Sequence, residues 1–330
     1  MAQQILQTRS TRISFPIMNN HFDTYLQKVH SHSTDSEVVM KVAAHMIGGM
    51  PSGMKRIIKG ESHEVYEAQM FESNKAYIIR IAPECSAHFA SENWAMQRAS
   101  QVGVPVPSPV AIHGAHVATT QLAFSLYPKI HGYTEDVWGP QFDNSLYKDL
   151  AVEAGAYLRK IHSVSTSGYG PIDEHGVGRF YTYLDRIMSV LQDLGAYESH
   201  LAKLCIQFYV DRAHKLSNVP AHLIHGDYGP KHFVIEDGVI RGIIDWEGVE
   251  SGPYYMDFGR WSYYYQDKLP LDWLLEGYGI TEGQRSEVKD VLPLIELFWG
   301  CHSLLYYCRH MRHEQAMEDK RKITKILRSA

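Results

Sequence analysis

The spacing of hydrophobic and polar positions changes once along this chain. Between Met54 and Pro128 it is strand-like, with short apolar blocks or alternation at a period of two. The stretches MKRIIKG (54–60), EVYEAQMF (64–71), AYIIRIA (76–82), SPVAIHG (108–114) and TQLAFSLYP (120–128) predict five strands. HFASENWAMQRASQVG (88–103) interrupts them with helical spacing and is closed by Gly103 and the turn VPVPSP. Upstream, DSEVVMKVAAHMIGG reads as a helix with an Asp or Ser cap and a Gly-Gly stop, preceded by a polar, irregular extension over 1–35. From about residue 141 the apolar period becomes helical: over 145–164, near 179–194, over 197–217, and in a long run from Glu282 to His313. The shift falls at Tyr127–Gly132, a short segment containing Pro and Gly. The chain therefore divides into a small five-stranded lobe, 1–127, and a mostly helical lobe, 128–330, an α+β plan with a cleft between its lobes.

One stretch breaks the helical pattern of the second lobe. HFVIEDGVIRGIID (232–245) reads as two strands around Asp237-Gly238, a hairpin turn in which Gly accepts positive φ. Asp237 is a turn residue and nothing more. A hairpin brings its two ends together, so His232 and Asp245 converge, and Asp227 sits on the loop just before. Phosphoryl transfer needs this grouping: one carboxylate to orient a hydroxyl, and metal ligands to hold Mg2+ on the phosphates.

The motifs HGDYGPKH, GIIDWE and GPYYMDF resemble those of the aminoglycoside phosphotransferase family of small-molecule kinases, whose fold is protein-kinase-like. That family reads H-G-D-x4-N, then a strand ending I-D-W/F, then a turn and D-L/F. The resemblance starts near residue 55 and is most specific around 222–260. It implies a kinase that transfers the γ-phosphoryl group of ATP or GTP, with Mg2+, to a hydroxyl of a small molecule. It implies Asp227 as catalytic base or hydroxyl-orienting residue, and His232 and Asp245 as metal ligands. Arg80 takes the place of the phosphate-binding Lys, with Glu92 as its ion-pair partner. Backbone groups around Ser125, Leu126 and Tyr127 would meet the purine. Asp257 would buttress the loop that carries His225, itself a scaffold residue. Three departures stand out: His232 for the usual Asn, Arg80 for Lys, and a phosphate-covering loop, GESHEV, with one Gly, where Ser62 and backbone N–H groups would serve.

Composition narrows the partners. The 330 residues are 45% hydrophobic and 21% charged, with a net charge of −5, which argues against a nucleic-acid partner. No stretch reads as a membrane span and the N-terminus has no signal-peptide core, so the cytoplasm is expected. Cys85, Cys205, Cys301 and Cys308 form no CxxC pair and predict reduced thiols. The stripe Trp299, His302, Tyr306 and His310 reads as core or cleft wall, and the basic tail KRKITKILRS as a solvated helix face. Around the acceptor site, Glu247, Glu250, Asp257 and Asp267, with Tyr263, Tyr264 and, across the cleft, Glu135 and Asp136, form an acidic and aromatic set. Such a set attracts cations, which favours an aminoglycoside-like acceptor, although the aromatic cluster could equally pack between helices. Kinases for choline, homoserine or sugars, and a catalytically silent nucleotide-binding protein of the same fold, remain the alternatives.

Overall fold

Asp35 accepts a hydrogen bond from the Glu37 amide and so starts helix α1 (Ser36–Ile47), which ends at Gly48 in the left-handed conformation. The computed structural model describes residues 34–58, 63–71, 75–83, 88–108, 111–117, 120–134, 144–217 and 219–329. Five antiparallel strands follow α1: β1 (Pro51–Ile57), β2 (Glu64–Met70), β3 (Ala76–Pro83), β4 (Ala111–Val117) and β5 (Thr120–Pro128), in the order β1-β2-β3-β5-β4. Within the described residues β4 runs from Ala111, in a register that sets it opposite Leu126. Tyr66, Ala68, Ile79, Ile81, Phe124 and Leu126 are buried and pack with Val39 and Ala43 of α1. Helix α2 (Phe89–Gln101) is inserted between β3 and β4.

The second lobe holds helices α3 (Asn144–His162), α4 (Tyr183–Gly195), α5 (Ser199–Arg212), α6 (Tyr255–Tyr265), α7 (Leu271–Tyr278), α8 (Glu282–Arg309) and α9 (His313–Ser329). Capping boxes start two of them, Thr182 with Asp185 for α4 and Thr281 with Gln284 for α8. A four-stranded sheet unforeseen from sequence joins β6 (Tyr169–Ile172), β7 (Gly178–Phe180), β8 (His222–Ile224) and β11 (Glu250–Gly252) in the order β7-β6-β11-β8. Its strands are three or four residues long, too short to show alternation. Between β8 and β11 comes the expected hairpin, β9 (Phe233–Glu236) and β10 (Val239–Ile243), with Asp237 and Gly238 both at positive φ in its turn. The architecture is α+β and bilobal, a small antiparallel sheet lobe joined to a helical lobe, the plan expected from the sequence.

The membrane expectation needs one correction. By length and composition α8 is apolar enough to cross a bilayer, because its central residues serve the core of the lobe. Leu294, Ile295, Leu297, Phe298, Trp299, Cys301, Leu304 and Leu305 are all buried there. Burying such side chains contributes about 1.5–3 kcal/mol each.

The lobes are tied through the segment that follows β5. Tyr133 and Ile235 exchange two backbone hydrogen bonds of 2.8 Å, which docks the linker on the hairpin. Helices α3 and α7 meet without intervening side chains. A Cβ at Gly155 would lie 2.0 Å from the Leu274 carbonyl oxygen, and one at Gly277 would lie 1.7 Å from that of Val152. This approach sets His162, the last residue of α3, beside Tyr278, the last of α7, with His162 Nδ1 3.3 Å from the tyrosine hydroxyl.

Gly277→Ala should therefore lower stability by about 1–3 kcal/mol in urea unfolding, since backbone rather than a movable side chain must yield. Gly283→Ala in α8, where an added Cβ meets nothing within 4 Å, should be neutral or should stabilise by up to about 1 kcal/mol.

Candidate active site

The loop that carries Asp227 is held from beneath. Asp257, on the first turn of α6, is fully buried. It accepts the His225 amide at 3.0 Å, the Gly226 amide at 2.9 Å, and lies 3.1 Å from His162 Nε2. Gly226 has φ 77°, and a Cβ there would lie 1.8 Å from the Gly248 carbonyl oxygen, so no other residue fits. His225 Nε2 is 3.2 Å from the Ile244 carbonyl oxygen, to which it donates, and its Nδ1 accepts the Asp227 amide at 3.3 Å. One nitrogen gives and one takes, which describes a neutral ring. Burial among Tyr228 and Trp246 pushes His225 down to about 4.

Asp227, His232 and Asp245 converge where the hairpin closes. The Ile244 amide donates to the His232 carbonyl at 2.9 Å, and this shuts the mouth of the hairpin. His232 Nε2 lies 3.1 Å from Asp227 Oδ2, and its Nδ1 lies 3.3 Å from Asp245 Oδ2. One ligand atom from each of the three residues lies within 4.8 Å of the others, a spacing that can hold a metal ion. Asp245 adopts φ 65°, a left-handed conformation that Asp tolerates better than most residues. Burial pushes its carboxyl up, against the pull of His232. The donor set suits Mg2+ in its two carboxylates and is softer than usual in its imidazole.

Arg80 projects from β3 toward the same centre. It donates to Glu92 of α2, whose carboxylate is completely buried. Burial raises the Glu92 carboxyl, and the pull of Arg80 counters this only in part. The other end of the guanidinium is 3.0 Å from His63 Nδ1 and 3.4 Å from Glu247 Oε2, and His63 and Glu247 are themselves 3.2 Å apart. Glu247 therefore faces the Arg80 side of the cleft, a correction to its place in the acceptor set. His63 was missed because a single histidine in a short loop carries no pattern. Ser62 lies outside the described residues.

Ser125 and Leu126 do not offer free backbone groups. They pair with Arg80 and Ile79 in β3 and with Ile112 and Ala111 in β4, and both are fully buried. The purine contact expected from them is corrected accordingly, because a strand paired on both sides has its N–H and C=O groups engaged in the sheet. Tyr127 pairs with Ile78, its ring buried, at the start of the linker.

The acceptor set is largely withdrawn. Glu250 is buried and joined through both carboxylate oxygens to Arg186, whose Nε lies 3.2 Å away. Tyr263 is buried, and its hydroxyl donates to Asp319 of α9 at 2.7 Å. Asp267 lies exposed in the turn after α6. Glu135 and Asp136 fall outside the described residues. Tyr264 is near the centre, but its ring face, 4.6 Å from the guanidinium carbon of Arg260, is covered by that residue. Arg260 was not singled out from sequence. It donates to Asp227 Oδ1, while Lys231 Nζ approaches Oδ2 at 3.0 Å. Its signal was the spacing of three from Asp257 on one helix, which turns both toward the loop. Arg260 and then His232, with a smaller contribution from Lys231, hold the Asp227 carboxyl well below the usual range despite its burial. Trp299 of the aromatic stripe is buried, with Nε1 donating to the Met256 carbonyl at 2.8 Å, and His302 packs edge-on against it. Cys205 and Cys301 are buried free thiols, their sulfurs 3.7 Å apart.

Residues 53–288 match the model of the phosphotransferase enzyme family. Among curated proteins, hygromycin-B 4-O-kinase of Escherichia coli is 19% identical over 213 residues, a match that covers 61% of this chain and 59% of that protein. The chain thus aligns with about three fifths of the curated relative's length. Among solved structures, aminoglycoside phosphotransferase APH(4)-Ia superposes with a TM-score of 0.72 at 18% identity, over 89% of this chain and 99% of the other. A thermostable mutant of it, in a ternary complex with ADP and hygromycin B, gives the same score. A GDP complex of an aminoglycoside 2′-phosphotransferase-IIIa gives 0.62 at 16% identity, over 89% and 97% of the two chains.

The neutral, buried His225 sets a pH dependence. An unfolded His binds its proton at the ordinary value of 6.5, and the folded one only at about 4. The unfolded chain takes up the proton first, so this contribution is complete above pH 6.5 and is lost as pH falls from 6.5 toward 4. At pH 5 the loss is about 2 kcal/mol. Urea unfolding of wild type and His225→Gln at pH 7.5 and pH 5 measures it; the variant should lose less stability between the two, and equal losses would refute the assignment.

Proposed function

This chain belongs to the phosphotransferase enzyme family, and we propose that it transfers the γ-phosphoryl group of a nucleoside triphosphate to a hydroxyl of a small molecule. The observation that carries the reading is the convergence of Asp227, His232 and Asp245 at the mouth of the hairpin, with Arg80 directed at them from the sheet lobe. Asp227 would accept the hydrogen bond of the acceptor hydroxyl and align its oxygen with the phosphoryl group. Arg80, fixed by Glu92, would meet the phosphates. In a loose phosphoryl-transfer transition state these positioning and charge effects supply most of the catalysis. His232 and Asp245 would hold Mg2+, which when bound neutralises charge on the phosphate oxygens. The purine would lie against the linker that begins at Tyr127. Relatives occur in complexes with ADP and with GDP, so both ATP and GTP belong in any test. The cytoplasm is the proposed compartment, and neither nucleic acid nor a membrane is a proposed partner.

For the acceptor, the kinship with hygromycin-B 4-O-kinase supports an aminoglycoside. One observation favours a second reading, a neutral hydroxyl compound such as a sugar. Three of the acids expected to attract a cation are satisfied inside the protein: Glu250 by Arg186, Glu247 by Arg80 and His63, and Asp257 by the His225 and Gly226 amides. A screen of hydroxyl-bearing acceptors with ATP and GTP, read by product mass, separates the two. Calorimetry of the best acceptor at two salt concentrations adds a check, because a cation held by exposed charges binds more weakly as salt rises.

Two substitutions test the assignments. Asp227→Asn should remain folded and bind nucleotide while kcat falls by roughly 10²–10⁴-fold; near-wild-type turnover would remove Asp227 from its role. Asp245→Ala should abolish metal-dependent nucleotide binding measured by calorimetry, whereas His232→Asn should preserve it. The opposite pattern would place the metal elsewhere.

A further inference from the structure

The two oxygens of Asp227 have partners of different character. Oδ1 takes a hydrogen bond from Nη2 of Arg260, a residue of α6 that is distant in sequence and almost enclosed. The Arg260 guanidinium carbon lies over two rings, 4.6 Å from the centre of Tyr264 and 4.8 Å from that of Trp299. Trp299 is in turn fixed by its hydrogen bond to the Met256 carbonyl. A planar fork in contact with two aromatic rings and hydrogen-bonded to a carboxylate has little freedom to turn. Oδ2 faces His232 and the ammonium of Lys231, whose side chain is 44% exposed on a flexible stem and can leave at little cost.

We propose that Arg260 is a positioning residue for phosphoryl transfer: it holds Asp227 by Oδ1 throughout and presents Oδ2 to the acceptor hydroxyl, which displaces Lys231. The inference rests on the kinase reading above and adds to it a division of labour within one carboxylate. Without the clamp, Asp227 could rotate about its side-chain bonds toward Lys231, and Oδ2 would lose its alignment with the phosphoryl group. A misplacement of about 1 Å at a reacting group can cost on the order of 10²-fold. Contact with both rings and with Oδ1 at once further implies that charge alone cannot replace the fork. Lys would carry the charge but could not present a planar guanidinium to the two rings and the carboxylate together.

The test compares Arg260→Lys, Arg260→Gln and Arg260→Ala with wild type, in the presence of the acceptor that the screen identifies. Arg260→Lys should melt close to wild type and bind ADP with Mg2+ with unchanged affinity, while its kcat falls by about 10–100-fold. Arg260→Ala, which opens a slot between Tyr264 and Trp299, should regain part of its kcat when guanidinium is added at millimolar concentration, and Asp227→Asn should not respond. The Arg260→Gln, Asp227→Asn double variant should be no slower than Asp227→Asn alone, because Arg260 acts only through that carboxylate. Full kcat in a folded Arg260→Lys protein, or losses that multiply in the double variant, would overturn the proposal and leave the kinase reading standing. If Arg260→Gln does not fold, the Lys variant and the guanidinium recovery decide the matter. Absence of turnover by the wild-type chain with every acceptor would overturn both.

Discussion

Asp257 has no access to water, so its charge must be met by donors inside the lobe. The donors it takes are two successive amides of the loop before Asp227, with His162 at the end of α3 close beside them. Leaving a buried carboxylate uncompensated costs several kcal/mol. The loop thus cannot drift from α6 without exposing that cost, and α3 cannot drift from α7 without moving His162. The glycine contact between Gly155 and Gly277 therefore reaches the chemistry through two steps: backbone packing places an imidazole, and the imidazole and two amides balance one carboxylate. Asp227 is the residue at the end of this chain of constraints, and the same helix returns one turn later with Arg260 to meet it from the other side.

The cleft is consequently a place where charges are mostly answered within the protein. Arg80 has Glu92, His63 and Glu247; Asp227 has Arg260, Lys231 and His232. These pairs bring groups from both lobes together, since Arg80 and His63 belong to the sheet lobe and Glu247 follows the hairpin. An incoming nucleotide would enter this network rather than an open field, with Glu247 as the anion already near Arg80. A cationic acceptor would likewise find the aromatic faces of Tyr264 and Trp299 covered by an internal guanidinium.

Much of the plan was legible because it depends on features that repeat or that only a few residues can supply. The five strands were visible through alternation, the hairpin through Asp237-Gly238, and the convergence of His232 with Asp245 through the geometry that any hairpin imposes. Asp257 was legible through family resemblance. What stayed hidden depended on contacts between distant positions. Glu250 looked like a cleft acid because it follows the Asp245 motif, yet β11 turns it inward to Arg186. Tyr263 and Tyr264 are neighbours in sequence and point to different partners, one to Asp319 and one to Arg260, as successive helix residues must. The small sheet of β6, β7, β8 and β11 has strands too short for any period to show. Its pairing is set by tertiary position.

The left-handed backbone of Asp245 places two independent demands on a single position. The residue must tolerate φ 65°, which Gly does freely and Asp only at some cost, and it must also bring a carboxylate to His232. Conformation alone would select Gly; only the proposed role in metal binding selects Asp. Over evolutionary time the two pressures separate cleanly. On the proposed metal role, a lineage that abandoned turnover but kept the fold would lose the main pressure for a carboxylate here, and the backbone alone would admit glycine. The identity of this one residue would then help to distinguish a lobe still selected for chemistry from one retained only as a scaffold.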